Sequence, residues 1–213
     1  MTRLSSRGRW TAPLVGLAGL LAGGLGAALV TAPGAGVPAE DGADVRFIRD
    51  MGAHHAQAVE MSVVMLKRAS DPAVKLLAQD IAVTQQGQIG QLSGWLTAWG
   101  LPVAGAQPPM HGMDRAEMGM ATPADVQALD HLPVRVAEGR YLLLMRRHHL
   151  GGVAMAKAAL TGARQPLVQA FANRVVASQT AEVRSIDAML KARSLTPPPP
   201  GPDNIHTEDM NHG

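Results

Sequence analysis

Two pairs of adjacent histidines are the groups in this chain best suited to bind a metal ion. His54-His55 and His148-His149 lie 94 positions apart, and methionines flank each pair within largely apolar sequence. Imidazole and thioether groups both bind copper, and thioethers favour its monovalent form. The 213 residues include no cysteine, which excludes thiolate zinc sites, iron–sulfur clusters, disulfides and a cysteine nucleophile. A copper site in this protein must therefore rely on His and Met.

Helical geometry places each histidine pair and its methionines on one face. At about 100° per residue, the side chains of each group fall within about 120° of one another. The candidate ligands on these two faces are Met51, His54, His55, Met61, Met65, Met145, His148, His149 and Met155. A buried methionine is more often a packing residue, whereas adjacent histidines are costly to bury unless their nitrogens have partners. If the faces meet, they predict a site for Cu(I), and imidazoles alone would also accept Cu(II) or Zn(II).

A second group of soft ligands lies between the histidine pairs, in a segment rich in Gly and Pro. Its candidate ligands are Met110, His111, Met113, Met118 and Met120. Cu(I) and Ag(I) accept two to four such ligands without strict geometry, so the segment is predicted to be a flexible capture loop. The alternative is a buried loop in which these methionines pack. A weaker third group, His206, Met210 and His212, lies near the C-terminus.

The spacing of the histidine pairs belongs to an internal repeat with an offset of 94 residues. Residues 47–51 align with 141–145, and the match continues without a gap through Pro72 and Pro166. A constant offset over this length indicates duplication. Each copy is predicted to form a helical hairpin, 44–70 with 72–99 and 124–163 with 166–194, joined by the linker 101–123. Two such hairpins bury their apolar faces best as an all-α four-helix bundle.

The two ends of the chain differ from this body, which is expected to span 44–194. Residues 1–38 combine three arginines, an apolar run and then small residues, which predicts a secretory signal peptide. The run is also long enough for an uncleaved membrane anchor. Either interpretation places the body in the periplasm or elsewhere outside the cytoplasmic membrane. Residues 195–213 include four consecutive prolines and are predicted to form an extended tail.

The charge balance argues against nucleic acid as a partner. The formal net charge is +2, but three of the arginines precede residue 10. The rest of the chain has sixteen Lys and Arg residues and seventeen Asp and Glu residues. It also has no basic patch interleaved with aromatic residues. A metal ion is the expected binding partner instead.

The sequence around the histidines resembles the domain-of-unknown-function 305 family. The matching segments are Phe47-Ile48-Arg49-Asp50-Met51 with His54-His55 and Met61, Met145-Arg146-Arg147-His148-His149 with Met155, and Gln179-Thr180-Ala181-Glu182. The resemblance covers residues 44–192 and implies an exported, ferritin-like four-helix bundle with a Met-rich linker. It also implies copper binding, because some members bind copper in the periplasm and support copper tolerance. This chain departs from the family pattern at Gln88, where Glu is usual, at Leu92 and Ile186, where Met is common, and at Ala154, which replaces an acid.

These observations predict an exported protein that sequesters Cu(I) or passes it to a copper-exporting or copper-accepting protein. Silver and zinc are alternative ions. The alternatives without metal are an exported helical interaction module and a bundle whose histidine pairs respond to pH. An enzyme is not expected, because the sequence lacks the Glu-x-x-His motif of di-iron carboxylate proteins, a phosphate-binding loop and a nucleophile elbow.

Overall fold

A computed structural model describes residues 36–197, which form five α-helices and no strand. The helices are α1 (Ala43–Arg68), α2 (Pro72–Ala98), α3 (Pro123–His131), α4 (Val134–Gly162) and α5 (Pro166–Ala192). The predicted all-α class and helical bundle are confirmed. Within residues 36–197, none of the helices combines the length and hydropathy needed to cross a membrane. Most of the predicted signal or anchor segment, and His206, Met210 and His212 in the tail, lie outside the described residues.

The duplication is visible in how the helices pack. Helix α1 pairs with α2, α4 pairs with α5, and the two hairpins meet through α1 and α4. Met51, early in α1, shares a hydrophobic cluster with Met155, late in α4. Met61, later in α1, shares the other cluster with Met145, early in α4. The central helices are therefore antiparallel, and the 94-residue offset corresponds to a pseudo-twofold axis between them.

The single helix predicted over 124–163 is wrong, because the structure has two helices there. Leu132, at the C-terminus of α3, adopts an extended conformation with ψ of 153°. It precedes Pro133, whose ring disfavours the helical conformation in the residue before it. Thr122 begins α3 with a capping box to Asp125, which satisfies backbone donors at the N-terminus. The bundle thus gains a short fifth helix, which packs against α1 and α4.

Two buried carboxylates tie each hairpin turn to the opposite repeat. Asp44, in the first turn of α1, accepts hydrogen bonds from the backbone N–H groups of residues 164–165 at 3.0 and 2.9 Å. Glu138, at the equivalent position of α4, accepts from the N–H and hydroxyl of Ser70 and the N–H of Asp71 at 2.7 to 3.0 Å. Their side chains are 5% and 1% exposed. Neither contact was predicted from the sequence, although acids at the same offset were a visible sign.

The linker between the hairpins is held against the bundle by hydrogen bonds, so its predicted flexibility is wrong, while its role in ion capture stays a prediction. Asp50 accepts a hydrogen bond from the backbone N–H of Met110 at 2.6 Å. The Gln57 amide exchanges two hydrogen bonds with the backbone of Ala121, at 2.9 and 2.7 Å. A Cβ atom on Gly151 of α4 would lie 1.9 Å from the carbonyl oxygen of Met118, so this close approach requires glycine. The linker therefore lies directly against α1 and α4.

Candidate metal centre

The four paired histidines meet at the centre of the interface between α1 and α4. The rings of His54 and His148 stack with their centroids 3.7 Å apart and their planes 28° apart. The ring centroid of His55 lies 6.4 Å from that of His54, and the ring centroid of His149 lies 6.2 Å from that of His148. All four side chains are completely buried. The predicted convergence of the two repeats is therefore confirmed for the histidines.

Most of the buried ring nitrogens lack a hydrogen-bond partner. His54 Nε2 bonds to the carbonyl oxygen of Met118 at 3.0 Å, and His149 Nε2 bonds to Glu182 at 2.6 Å. The other six ring nitrogens have no partner in hydrogen-bonding geometry within residues 36–197. A buried polar group without a hydrogen-bond partner lowers the stability of the folded state by about 1–3 kcal/mol. Such nitrogens are unfavourable for packing, but each neutral ring has one nitrogen with a lone pair that a metal ion can use.

Burial also keeps His54, His55 and His148 neutral. Desolvation lowers the pKa of His54 to about 4, although its hydrogen bond to Met118 opposes the shift. Desolvation and the neighbouring histidines lower the pKa of His55 to about 3, while the side chain of Gln88 has a weaker opposing effect. The same two causes hold the pKa of His148 well below its usual range. Neutral imidazole is the form that binds metal, so these rings need lose no proton at pH 7.

Two buried glutamines lie at equivalent positions of the two repeats, and one of them lies close to the histidines. Gln85 and Gln179 are each 3% exposed, and the carbonyl oxygen of each has no hydrogen-bond partner within the described chain. A Cβ atom on Gly152 would lie 2.3 Å from Gln179 Oε1 and 3.1 Å from His54 Cε1, so this amide lies close to the histidines. The sequence analysis did not place either glutamine in the site. Glutamines at matching positions on two apolar faces were the sign that could have identified them.

The helical methionines lie on two sides of the histidines. Met51 and Met155 belong to one hydrophobic cluster, and Met61, Met65 and Met145 belong to the other. All five are at most 5% exposed. This division follows from the antiparallel arrangement of α1 and α4. Packing is their visible role, and their role as ligands stays a prediction.

The linker ligands do not share one environment. Met110 and Met120 are 3% and 5% exposed and pack in the cluster that contains Met51. Met118 is half-buried against the same cluster. Met113, in contrast, is 42% exposed, and His111 lines a separate surface cleft of about 520 Å³. The structure therefore supports the packing alternative for two of the four linker methionines.

The donors at the centre suit an ion that needs few ligands. Across residues 36–197, no three His, Asp or Glu side chains are grouped as a metal ion of higher coordination number would require. A soft monovalent ion accepts two ligands without strict geometry. His54 and His148 contribute stacked, neutral rings with unpartnered nitrogens, one from each repeat. Neutral imidazoles of this kind are donors that copper, silver and zinc ions all accept.

Comparison with known proteins agrees with this fold. A crystal structure of a DUF305 protein from Streptomyces coelicolor, described as secreted, is 42% identical, covers 76% of this chain and 99% of that chain, and has a TM-score of 0.71. CopM in its Cu(II)-bound form is 25% identical, covers 69% of this chain and 95% of that chain, and has a TM-score of 0.59. CopM has also been solved with silver bound.

A shorter similarity links the chain to an uncharacterised protein of Acanthamoeba polyphaga mimivirus. The two are 36% identical over 53 residues, which is 25% of this chain and 35% of the length of that curated relative. Residues 44–190 match the family model described as a domain of unknown function, DUF305. Because this match includes all five helices and more than half of the sequence, the chain belongs to the DUF305 family.

Proposed function

We propose that this protein binds copper outside the cytoplasm, chiefly as Cu(I), at the buried histidines between α1 and α4. The observation that carries the proposal is the set of six completely buried ring nitrogens without hydrogen-bond partners in the described chain. The metal-bound forms of CopM support copper and silver as the class of ion. The secreted relative from S. coelicolor supports the location.

The chemistry of the site favours sequestration or transfer over catalysis. The buried histidines, His148 and His149 among them, would hold the ion through neutral lone pairs, and the two methionine-containing clusters would keep water away from it. The linker covers the site through the bond between His54 and Met118. The ion would pass to a copper-exporting or copper-accepting protein by ligand exchange. In this proposal the protein acts as a binding protein and not as an enzyme.

Replacing His148 tests this proposal, because its two ring nitrogens lack partners. We expect His148→Leu to abolish tight Cu(I) binding and to leave the metal-free protein as stable as the wild type, or more stable by about 1–3 kcal/mol. The measurements are Cu(I) titration against a competing chelator and thermal melting with and without Cu(I). Cu(I) at a hundredfold excess over Kd should stabilise the wild type by about 2.7 kcal/mol.

His131→Leu is the matched control, because His131 is exposed on α3. It should bind Cu(I) like the wild type. Wild-type binding no tighter than micromolar, with a melting temperature insensitive to Cu(I) and Ag(I), would contradict the proposal and favour the interaction module. A large loss of metal-free stability in His148→Leu would show that this histidine is needed for packing.

The linker methionines should separate into two kinds of variant. Met110→Ser and Met120→Ser are expected to destabilise the protein by about 2–4 kcal/mol, because both side chains are buried in the core. Met113→Ser should leave the melting temperature unchanged and slow the uptake of Cu(I), since its thioether is exposed. Stopped-flow uptake and thermal melting of the three variants test this distinction. Equal melting temperatures for all three would contradict it.

A further inference from the structure

We infer that Glu182 and Gln88 together determine the charge of the ion that the histidine centre accepts. This inference rests on the proposed function and extends it from binding to selectivity. Glu182 follows Gln88 by the 94-residue offset, so the two residues occupy equivalent positions on α5 and α2. One is an acid and the other a neutral amide. The difference gives the centre a carboxylate contact in the second repeat and none at the equivalent position of the first.

In the second repeat, Glu182 orients His149. The carboxylate accepts a hydrogen bond from Nε2 of the ring at 2.6 Å. Nδ1 of the same ring is buried and has no acceptor within residues 36–197. Because a carboxylate oxygen only accepts hydrogen bonds, Nε2 is the donor of this bond, and Nδ1 is the ring nitrogen that can face an ion. This is the carboxylate–histidine arrangement that strengthens a metal ligand.

In the first repeat, His55 has no such support. The equivalent position holds Gln88, whose side chain lies beside the ring but carries no charge. Neither ring nitrogen of His55 makes a hydrogen bond of normal geometry to the described residues. Glu182 is thus the one carboxylate bonded to the four histidines in this part of the chain. The cationic Arg115, in contrast, lowers the pKa of His54, because its positive charge disfavours a charge on that ring.

This arrangement favours a monovalent ion for an electrostatic reason. Burying a net charge away from water is costly unless an opposite charge compensates it. One carboxylate offsets the charge of Cu(I) or Ag(I), whereas Cu(II) or Zn(II) would add one further positive charge beside completely buried rings and the cationic Arg115. Adding a second carboxylate at position 88 should therefore admit divalent ions.

Two substitutions test the inference by changing one charge each. Glu182→Gln should weaken Cu(I) binding by 10- to 100-fold, the usual effect of losing a hydrogen-bonded partner of a ligand. Gln88→Glu should raise affinity for Cu(II) and Zn(II) at least tenfold relative to Cu(I). Glu182→Asp keeps the charge and should retain the preference for Cu(I). The controls are Glu60→Gln on α1 and Gln86→Glu on α2, since both side chains are exposed.

The probes are Cu(I) with a competing chelator, Cu(II) and Zn(II), each titrated into the full chain. Failure of the wild type to bind any of them would overturn the proposed function. Wild-type Cu(I) binding combined with an unchanged ratio of Cu(I) to Cu(II) affinities in both Glu182→Gln and Gln88→Glu would overturn this inference alone. Long-range ¹H–¹⁵N spectra of the metal-free wild type give an independent result. They should show His149 protonated on Nε2, and protonation on Nδ1 would contradict the inference.

Discussion

Lowering the pH from 7 to 5 is expected to destabilise the metal-free protein by about 6 kcal/mol. Burial holds the pKa values of His54, His55 and His148 far below the usual 6.5. Below pH 6.5 the unfolded chain binds protons that the buried histidines of the folded state do not bind. The contribution of these histidines to stability is therefore fully present above that pH and is lost as the pH decreases. At pH 5 each histidine contributes a loss of about 2 kcal/mol. Small domains have about 5–15 kcal/mol in total, so this loss approaches unfolding.

The charged neighbours of the histidines modify this effect without reversing it. The Glu182 carboxylate bonds to His149, while His149 and Arg115 disfavour a charge on His54. Urea unfolding at pH 7, 6 and 5 measures the loss of stability. His148→Leu should reduce the loss by about a third, whereas His131→Leu should leave it unchanged. A stability independent of pH over this range would contradict the burial of neutral histidines.

The same experiment separates metal binding from a pH response without metal. Saturating Cu(I) binds the folded state and should add stability at each pH, according to its concentration and affinity. A protein that uses its histidines only to sense pH would lose stability equally with and without Cu(I). The comparison therefore tests two of the functions considered from the sequence.

Removing the carboxylate of Glu138 is expected to cost about 3 kcal/mol of stability. Glu138→Ala leaves three hydrogen-bond donors in the turn between α1 and α2 without their acceptor and opens a cavity at a position that is 1% exposed. Asp44→Ala should have a similar effect through the turn between α4 and α5, where it accepts from two backbone N–H groups. Urea unfolding of each variant measures the change.

Glu60→Ala is the control for both carboxylates. Glu60 lies exposed on α1, and the second repeat has Ala154 at the equivalent position. This variant should stay within about 0.5 kcal/mol of the wild type. A loss below about 1 kcal/mol for Glu138→Ala would mean that water replaces the carboxylate in the turn. If the prediction holds, each hairpin depends on the other repeat for the closure of its turn.

The sequence by itself determined the elements and their duplication. Apolar residues at helical spacing, with Pro72 and Pro166 in the first turns of α2 and α5, predict these helices to within about two residues of their observed bounds. The constant offset also predicted that the histidine pairs would lie at equivalent places in the two hairpins. Helix period and helix boundaries are local properties, so a single sequence is enough to identify them.

Boundaries that depend on one residue, and contacts distant in sequence, were harder to predict. Pro133 divides the helix predicted over 124–163, because it forces Leu132 out of the helical conformation. The helical spacing of apolar residues continues across this break, so the spacing alone did not reveal it. The linker has the Gly and Pro content of a flexible segment. Asp50 and Gln57, about 60 residues earlier, nevertheless hold it against the bundle. Composition cannot reveal such hydrogen bonds, since they depend on how the chain returns to α1.

The tertiary structure alone decided which ligands meet. The five methionines of α1 and α4 share a face with the histidines in sequence, but their positions along two antiparallel helices divide them into two clusters and leave the histidine rings between them. The pairing of His149 with Glu182 depends on the packing of α4 against α5. The sequence determined which chemical groups each helix carries and on which face, because the spacing of residues along a helix fixes both. Their distances, partners and charges were set by packing, because residues far apart in the chain come into contact only in the folded bundle.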